Sequence, residues 1–233
     1  MGLGSPKSSG LQVVNPRSSN AMRTSRLRSR LREATAMAIL DATEEVMSEA
    51  GVESFSLNAV AARAGIAVGT IYNHFRDRDE LIRQLFTTRR AQMFAEVDSV
   101  LKEAQKLPFR EKLTAFVQAV LQHFENRHDF LSIVLQTEHL RLQCLDRIDP
   151  AERSALLKIE QQAADIVKLG LKEKALRPEA ADLYPALLMG VVRAILLDRL
   201  ESPAARPVSE EAERVVDLFL RGAGAVPRTR SRT

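Results

Sequence analysis

The stretch SLNAVAARAGIAVGTIYNHFRDRDEL, residues 56 to 81, decides how this chain reads, because it spells two short helices joined by a tight turn. Ser56 stands just before an apolar-periodic run, where its hydroxyl can accept a hydrogen bond from a first-turn amide that has no partner inside the helix. Val60, Ala61 and Ala64 then fall at three- and four-residue spacing on one side, small enough to let another helix come close. Gly65 should end that helix, since glycine takes the left-handed conformation without a Cβ clash. The second helix is expected from Val68 to Phe75, with Ile71 and Phe75 facing inward and Ile66 packed in the turn. Two helices joined by a short glycine-containing turn make a helix-turn-helix unit, whose second helix enters the major groove of DNA.

The outer face of that second helix suits the role. Val68, Gly69, Thr70, Tyr72 and Asn73 project away from the Ile71/Phe75 stripe. Gly69 lets the backbone approach DNA, Thr70 offers a hydroxyl and a methyl, and Asn73 can pair with an adenine edge through its amide. Tyr72 and His74 suit phosphate oxygens, which orient a protein without reading sequence. Ser56 and Ala67, at the entries of the two helices, complete the set on this unit. Asp77 should cap a third helix with Glu80 three residues later, a capping-box spacing, and Arg78 at its first position is expected to add a phosphate contact.

As an ordered set these residues resemble the DNA-binding head of the TetR (tetracycline repressor) family of transcriptional regulators. The shared elements are Ile39-Leu40-Asp41-Ala42, Gly51, Ser56, Val60-Ala61, Ala64-Gly65-Ile66, Gly69-Thr70-Ile71-Tyr72, His74-Phe75 and Glu80-Leu81, within a span of about a fifth of the chain. Two positions depart from the family pattern: Ala67 stands where serine or threonine is usual, and no arginine directly precedes Ile39. The first removes a cap and phosphate contact; the second shifts that work upstream.

Upstream lies a supply of charge. Residues 1 to 32 hold Lys7, Arg17, Arg23, Arg26, Arg28, Arg30 and Arg32 and no acid, so a chain of net charge +4 carries −3 over the rest. The expectation is a flexible basic arm whose arginines, Arg28, Arg30 and Arg32 above all, lie along the backbone or in a minor groove. Met22 offers an alternative start, which would make residues 1 to 21 a leader; that leader has no continuous apolar core of the kind a secretory signal needs. The most apolar stretch, Leu183 to Leu197, is broken by Arg193 and falls short of the ~20 residues that span a bilayer. With one cysteine, Cys144, the reading is a cytoplasmic protein without membrane association.

A chain of 233 residues with 45% hydrophobic content is long enough for a small head and a larger core. The organisation expected is all-α: a basic arm over 1–32, the helix-turn-helix domain over 33–86, a helical ligand-binding and dimerisation domain over 87–223, and a basic tail over 224–233. Helical segments are expected at about 79–106, 110–125, 130–140, 150–176, 178–200 and 209–222, with Pro185 kinking or delaying the helix around it. That helix is apolar on two sides, which must both be covered. Gly190 and Ala194 invite close approach by another helix, and Leu187, Val191, Ile195, Val215 and Phe219 are the further candidates for a dimer interface. The resemblance implies a four-helix interface between copies, so that two recognition helices about one DNA turn apart read a near-palindromic operator. It also implies a small-molecule effector bound in the C-terminal domain, which shifts the heads off their half-sites. Phe116, Phe124, Phe130, Leu135, Gln136 and His139 are the candidate pocket residues.

Chemistry for catalysis is hard to find. Ser99 and Lys102 match a serine-x-x-lysine spacing without the other elements of such a site. His123, His128 and His139 lack the spacing of a zinc motif, and no glycine-rich phosphate loop follows a strand. The expectation is no enzyme, no cofactor and no metal. Two alternatives stay open: an activator or architectural protein with no ligand, and a helical ligand-binding or interaction protein whose head binds DNA weakly and without sequence preference.

Overall fold

A computed structural model describes residues 16–142, 150–202 and 206–223 of the chain; the side chain of His139, Cys144 and the basic tail from residue 224 lie outside the described set. Within it the protein is all-α, with helices α1 (Pro16–Ala50), α2 (Leu57–Ala64), α3 (Val68–His74), α4 (Arg78–Glu103), α5 (Phe109–Glu125), α6 (His128–Leu142), α7 (Pro150–Lys172), α8 (Tyr184–Glu201) and α9 (Val208–Ala223). Short 3-10 turns follow α4 at Ala104–Lys106 and precede α8 at Pro178–Ala180.

The local signals act as their chemistry requires. Ser56 Oγ accepts from the Ala59 amide at 3.1 Å, and Gly65 closes α2 at φ +67. Gly51 ends α1 at φ +84, with its amide donating to the Met47 carbonyl at 2.9 Å. Asp77 Oδ1 accepts from the Glu80 amide at 2.7 Å, while Glu80 Oε2 reaches back to the Arg76 amide, one residue earlier than the usual capping box.

Two expectations about elements are corrected. The basic stretch from residue 16 onward is not separate from helix 1: α1 runs back to Pro16, a 35-residue helix that spans about 52 Å at 1.5 Å per residue. From Arg17 to Ala50 no glycine or proline interrupts it, and arginine, leucine, methionine and alanine all favour helix. Further on, α8 begins at Tyr184 with Pro185 in its first turn, not at Pro178, which heads only a 3-10 turn. Proline fits a helix's first turn, where its missing N–H has no partner to lose.

The apolar core has two clusters. One packs Ile39, Met47, Val60, Ile71, Leu81 and Leu85 of the first four helices with Phe130 and Ile133 of α6. The other gathers α4, α5, α7, α8 and α9 around Phe109, Leu113, Phe116, Val167, Leu188 and Phe219. Helix α4 passes unbroken through residue 86 and serves both, with Leu81, Leu85 and Phe86 in the first and Phe94 and Val97 in the second. No helix of the described residues is long and apolar enough to cross a membrane.

Candidate nucleic-acid interface

Helix α3 is held from beneath. Ile71 and Phe75 are 1% and 5% exposed, and the Phe75 amide closes the helix onto the Ile71 carbonyl at 2.8 Å. With those two anchored, the helix must turn its other side outward: Gly69, Tyr72 and Asn73 are exposed, Thr70 and His74 half-exposed, and Tyr72 stands out at 55%. Val68 is half-buried and packs on the head's core. Ala67 occupies the N-cap position without a side-chain cap, as an alanine must, and is exposed beside the helix entry.

The supports of α3 are polar as well as apolar. Arg63 on α2 forms ion pairs at 2.8 Å with both Glu45 and Glu49 of α1, which hold its pKa above the ordinary arginine value and fix α2 against α1. Arg32 on α1 donates to the Asn73 carbonyl at 3.4 Å, tying the basic stretch to the end of α3. Arg28 and Arg30 are exposed on the same helix.

Arg78 does something other than the expected phosphate contact. Its guanidinium donates to the carbonyls of Val52 at 2.5 Å and Glu53 at 3.0 Å and lies 4.3 Å above the Phe55 ring. It thus satisfies the carbonyls of the turn after α1, and its charge is directed inward.

A polar cluster that the sequence reading passed over joins the head to α4. Arg89 is 1% exposed; its Nε donates to Glu44 Oε2 at 2.5 Å, its Nη2 pairs with Asp41, and Arg127 stands 3.9 Å from the same Glu44. The signal was available. Arg89 falls four residues after Leu85 on the buried stripe of α4, and Glu44 four after Leu40 on that of α1. Opposite charges on two buried stripes need each other.

The C-terminal domain contains a cavity of about 400 Å³ among α4 to α8. Of the candidate pocket residues, Phe124, Phe130 and Leu135 line it. Phe116 does not: it is fully buried in the core cluster, where α5 packs against its neighbours. Gln136 is exposed and bonds to Ser132 at 3.1 Å, away from the lining. The sequence reading missed Arg90 and Arg193, which line the cavity from α4 and α8.

The dimer candidates divide in the same way. Leu187, Gly190 and Ala194 are exposed together with Leu183 and Leu197, while Val191 and Ile195 are half-buried against the core. Val215 and Phe219, each 2% exposed, are corrected: they are core residues of a single chain, Phe219 meeting Tyr184 edge-on at 6.0 Å. Helix α9 turns its apolar face onto α5, and its outward apolar residue is Leu218, 62% exposed.

Comparison with known proteins agrees with this geometry. Residues 39–85 match the family model "Bacterial regulatory proteins, tetR family". YhgD, an HTH-type transcriptional regulator of Bacillus subtilis (strain 168), is 27% identical over 163 residues, covering 69% of this chain and 81% of that protein. The fatty acid metabolism regulator protein of the same organism is 31% identical over 102 residues, 44% of this chain and 51% of its own. In three dimensions, FadR from Bacillus subtilis, solved in complex with stearoyl-CoA, superposes with a TM-score of 0.64 at 19% identity, over 80% of this chain and 98% of that one. With residues 39–85 matched to the family model and its helices matched in arrangement, the chain is similar to DNA-binding transcriptional regulators of the TetR family.

Proposed function

We propose that this protein acts as a homodimeric repressor that binds a near-palindromic operator and releases it when a small molecule fills the C-terminal cavity. The observation that carries the reading is the division of α3, where buried Ile71 and Phe75 fix a helix whose Gly69, Thr70, Tyr72 and Asn73 point to solvent. Thr70 and Asn73 read base edges in this proposal, while Tyr72, His74, Ser56 and the α1 arginines hold phosphates. The exposed stripe of α8 with Leu218 of α9 supplies the contact between copies. That FadR of the same fold was solved with stearoyl-CoA supports a ligand for the cavity here. An effector shifts the equilibrium only by its differential affinity for the two conformations, so it must prefer the one that does not fit DNA.

The test is binding of the purified protein to fragments from upstream of its own gene and its divergent neighbour, at fixed salt with excess random competitor. Tight binding to one fragment, lost in Tyr72→Ala, is the expected result. Asn73→Ala and Thr70→Ala should each lower discrimination between that fragment and random DNA by ~1–3 kcal/mol. Equal losses on both DNAs would remove these residues from the base-reading set. Binding that competitor abolishes on every fragment favours instead a helical ligand-binding protein with sequence-blind DNA affinity.

A further inference from the structure

We infer that the cavity among α4 to α8 takes a long apolar molecule ending in an anionic head, a carboxylate or a phosphate, and that Arg90 and Arg193 hold the head. The inference rests on the reading of this cavity as the effector site. Its volume, about 400 Å³, lies within the ordinary range of small-molecule sites. The described residues that line it are hydrocarbon or thioether, Phe94, Phe124, Phe130, Leu135 and Met189 among them, apart from Gly190 and the two arginines. Among the described residues, no neutral hydrogen-bonding side chain and no acid lines it.

This composition discriminates sharply. A polyol, nucleoside or peptide would turn donors and acceptors toward hydrocarbon, where each unpaired group is penalised. An organic cation would meet two guanidinium groups and, among the described lining residues, no carboxylate. What fits is a tail against the phenylalanines and an anion against the arginines, whose planar donor forks match carboxylate and phosphate oxygens.

The placement of the charges supports the orientation. Arg193 is exposed on α8 next to Ala186 and Gly190, also exposed, so these three mark the side of the cavity that is open in a single chain and that the proposed contact between copies would border. Arg90 is half-buried on α4, its guanidinium 5.3 Å from the Phe86 ring centroid. Both arginines also interact within the chain, so the head joins or replaces existing contacts. A tail entering past α8 runs toward the stacked pair Phe124 and Phe130, whose ring centroids are 6.4 Å apart.

Calorimetric titration of the full chain with tail-matched ligands, kept below micelle-forming concentrations, tests this. The probes are decanoate, decyl phosphate, decanol and, as a head without a tail, acetate. At least one of the long anions should bind roughly tenfold or more tightly than decanol, and acetate should not bind measurably. Preference for decanoate or for decyl phosphate identifies which head the site takes. Arg90→Gln and Arg193→Gln should lower the anion toward the level of decanol while leaving decanol unchanged, and that unchanged affinity shows the cavity intact. The inference is overturned if decanol equals both anions, if the double variant keeps the anion's affinity, or if no long-chain probe binds. Operator release is scored separately. Anion binding that leaves operator binding undisturbed keeps the ligand class and sinks the effector reading; release by neutral apolar compounds with no anion binding does the reverse.

Discussion

Asp77 accepts the Glu80 amide at 2.7 Å and lies 2.8 Å from Arg76 Nε, and those two contacts, the backbone amide first, hold its carboxyl below the ordinary aspartate range. A depressed folded-state pKa contributes stability that is present above the unfolded value, about 3.9, and lost as pH falls through the folded one. Asp77→Asn keeps a capping acceptor without the charge. The lead of the parent over this variant in melting temperature should therefore shrink as pH is lowered below about 4; parallel curves would place the acid sensitivity elsewhere. Arg89 is the opposite kind of residue, its charge enclosed with that of Glu44, whose side chain is only 9% exposed. Arg89→Met leaves that carboxylate with only Arg127, 3.9 Å away, and should cost ~3–5 kcal/mol in denaturant unfolding, whereas adding Glu44→Leu should recover most of the loss. A single variant as stable as the parent would show that solvent reaches Glu44.

At the scale of helices, the parts legible in the sequence were those governed by neighbours in the chain. Ser56, Gly65 and Asp77 mark the ends of α2 and the start of α4 through contacts within three or four residues, and Ile71 with Phe75 sets the roll of α3. What failed depended on distant partners. Nothing near Arg78 says that its donors go to carbonyls 25 and 26 residues earlier. The periodicity of α9 identifies Val215 and Phe219 as an apolar face, but only the packing of α5 decides that the face is used within one chain. Phe116 fell to the same ambiguity, core and cavity wall having one composition. The extent of α1 has a functional consequence: its arginines are carried on a continuous helix tied to α3 through Arg32. Neutralising Arg28, Arg30 and Arg32 should weaken binding to all DNA and flatten the salt dependence by about 0.9 in log–log slope for each phosphate that is no longer neutralised. Ser29→Pro, which keeps every arginine but breaks the helix, should produce part of the same effect if their positioning matters. An unchanged slope in both would make this segment a spectator.

For the molecule as a whole, the exposed apolar stripe of α8 and Leu218 of α9 predict assembly. Leu187 and Leu218 are 47% and 62% exposed, and a Cβ added at Gly190 would meet nothing within 4 Å, so the face is open toward solvent in a single chain. Leu187→Glu with Leu218→Glu should convert a dimer to monomers in sedimentation velocity while preserving helical content, and should reduce operator affinity, because one head grips only one half-site. If the parent already sediments as a monomer, the stripe has another purpose. Phe130 adds a different consequence. It is 2% exposed in the head's cluster, 5.6 Å from Phe86, and it also lines the cavity. Under the proposed effector mechanism Phe130 is where the two sites meet, and linkage then makes the coupling reciprocal: whatever factor an occupant of the cavity takes from DNA affinity, bound DNA must take from the occupant's affinity. On that proposal, an effector constant measured on the free protein overstates the affinity felt at an occupied operator, and the concentration needed for release rises with the tightness of the DNA site.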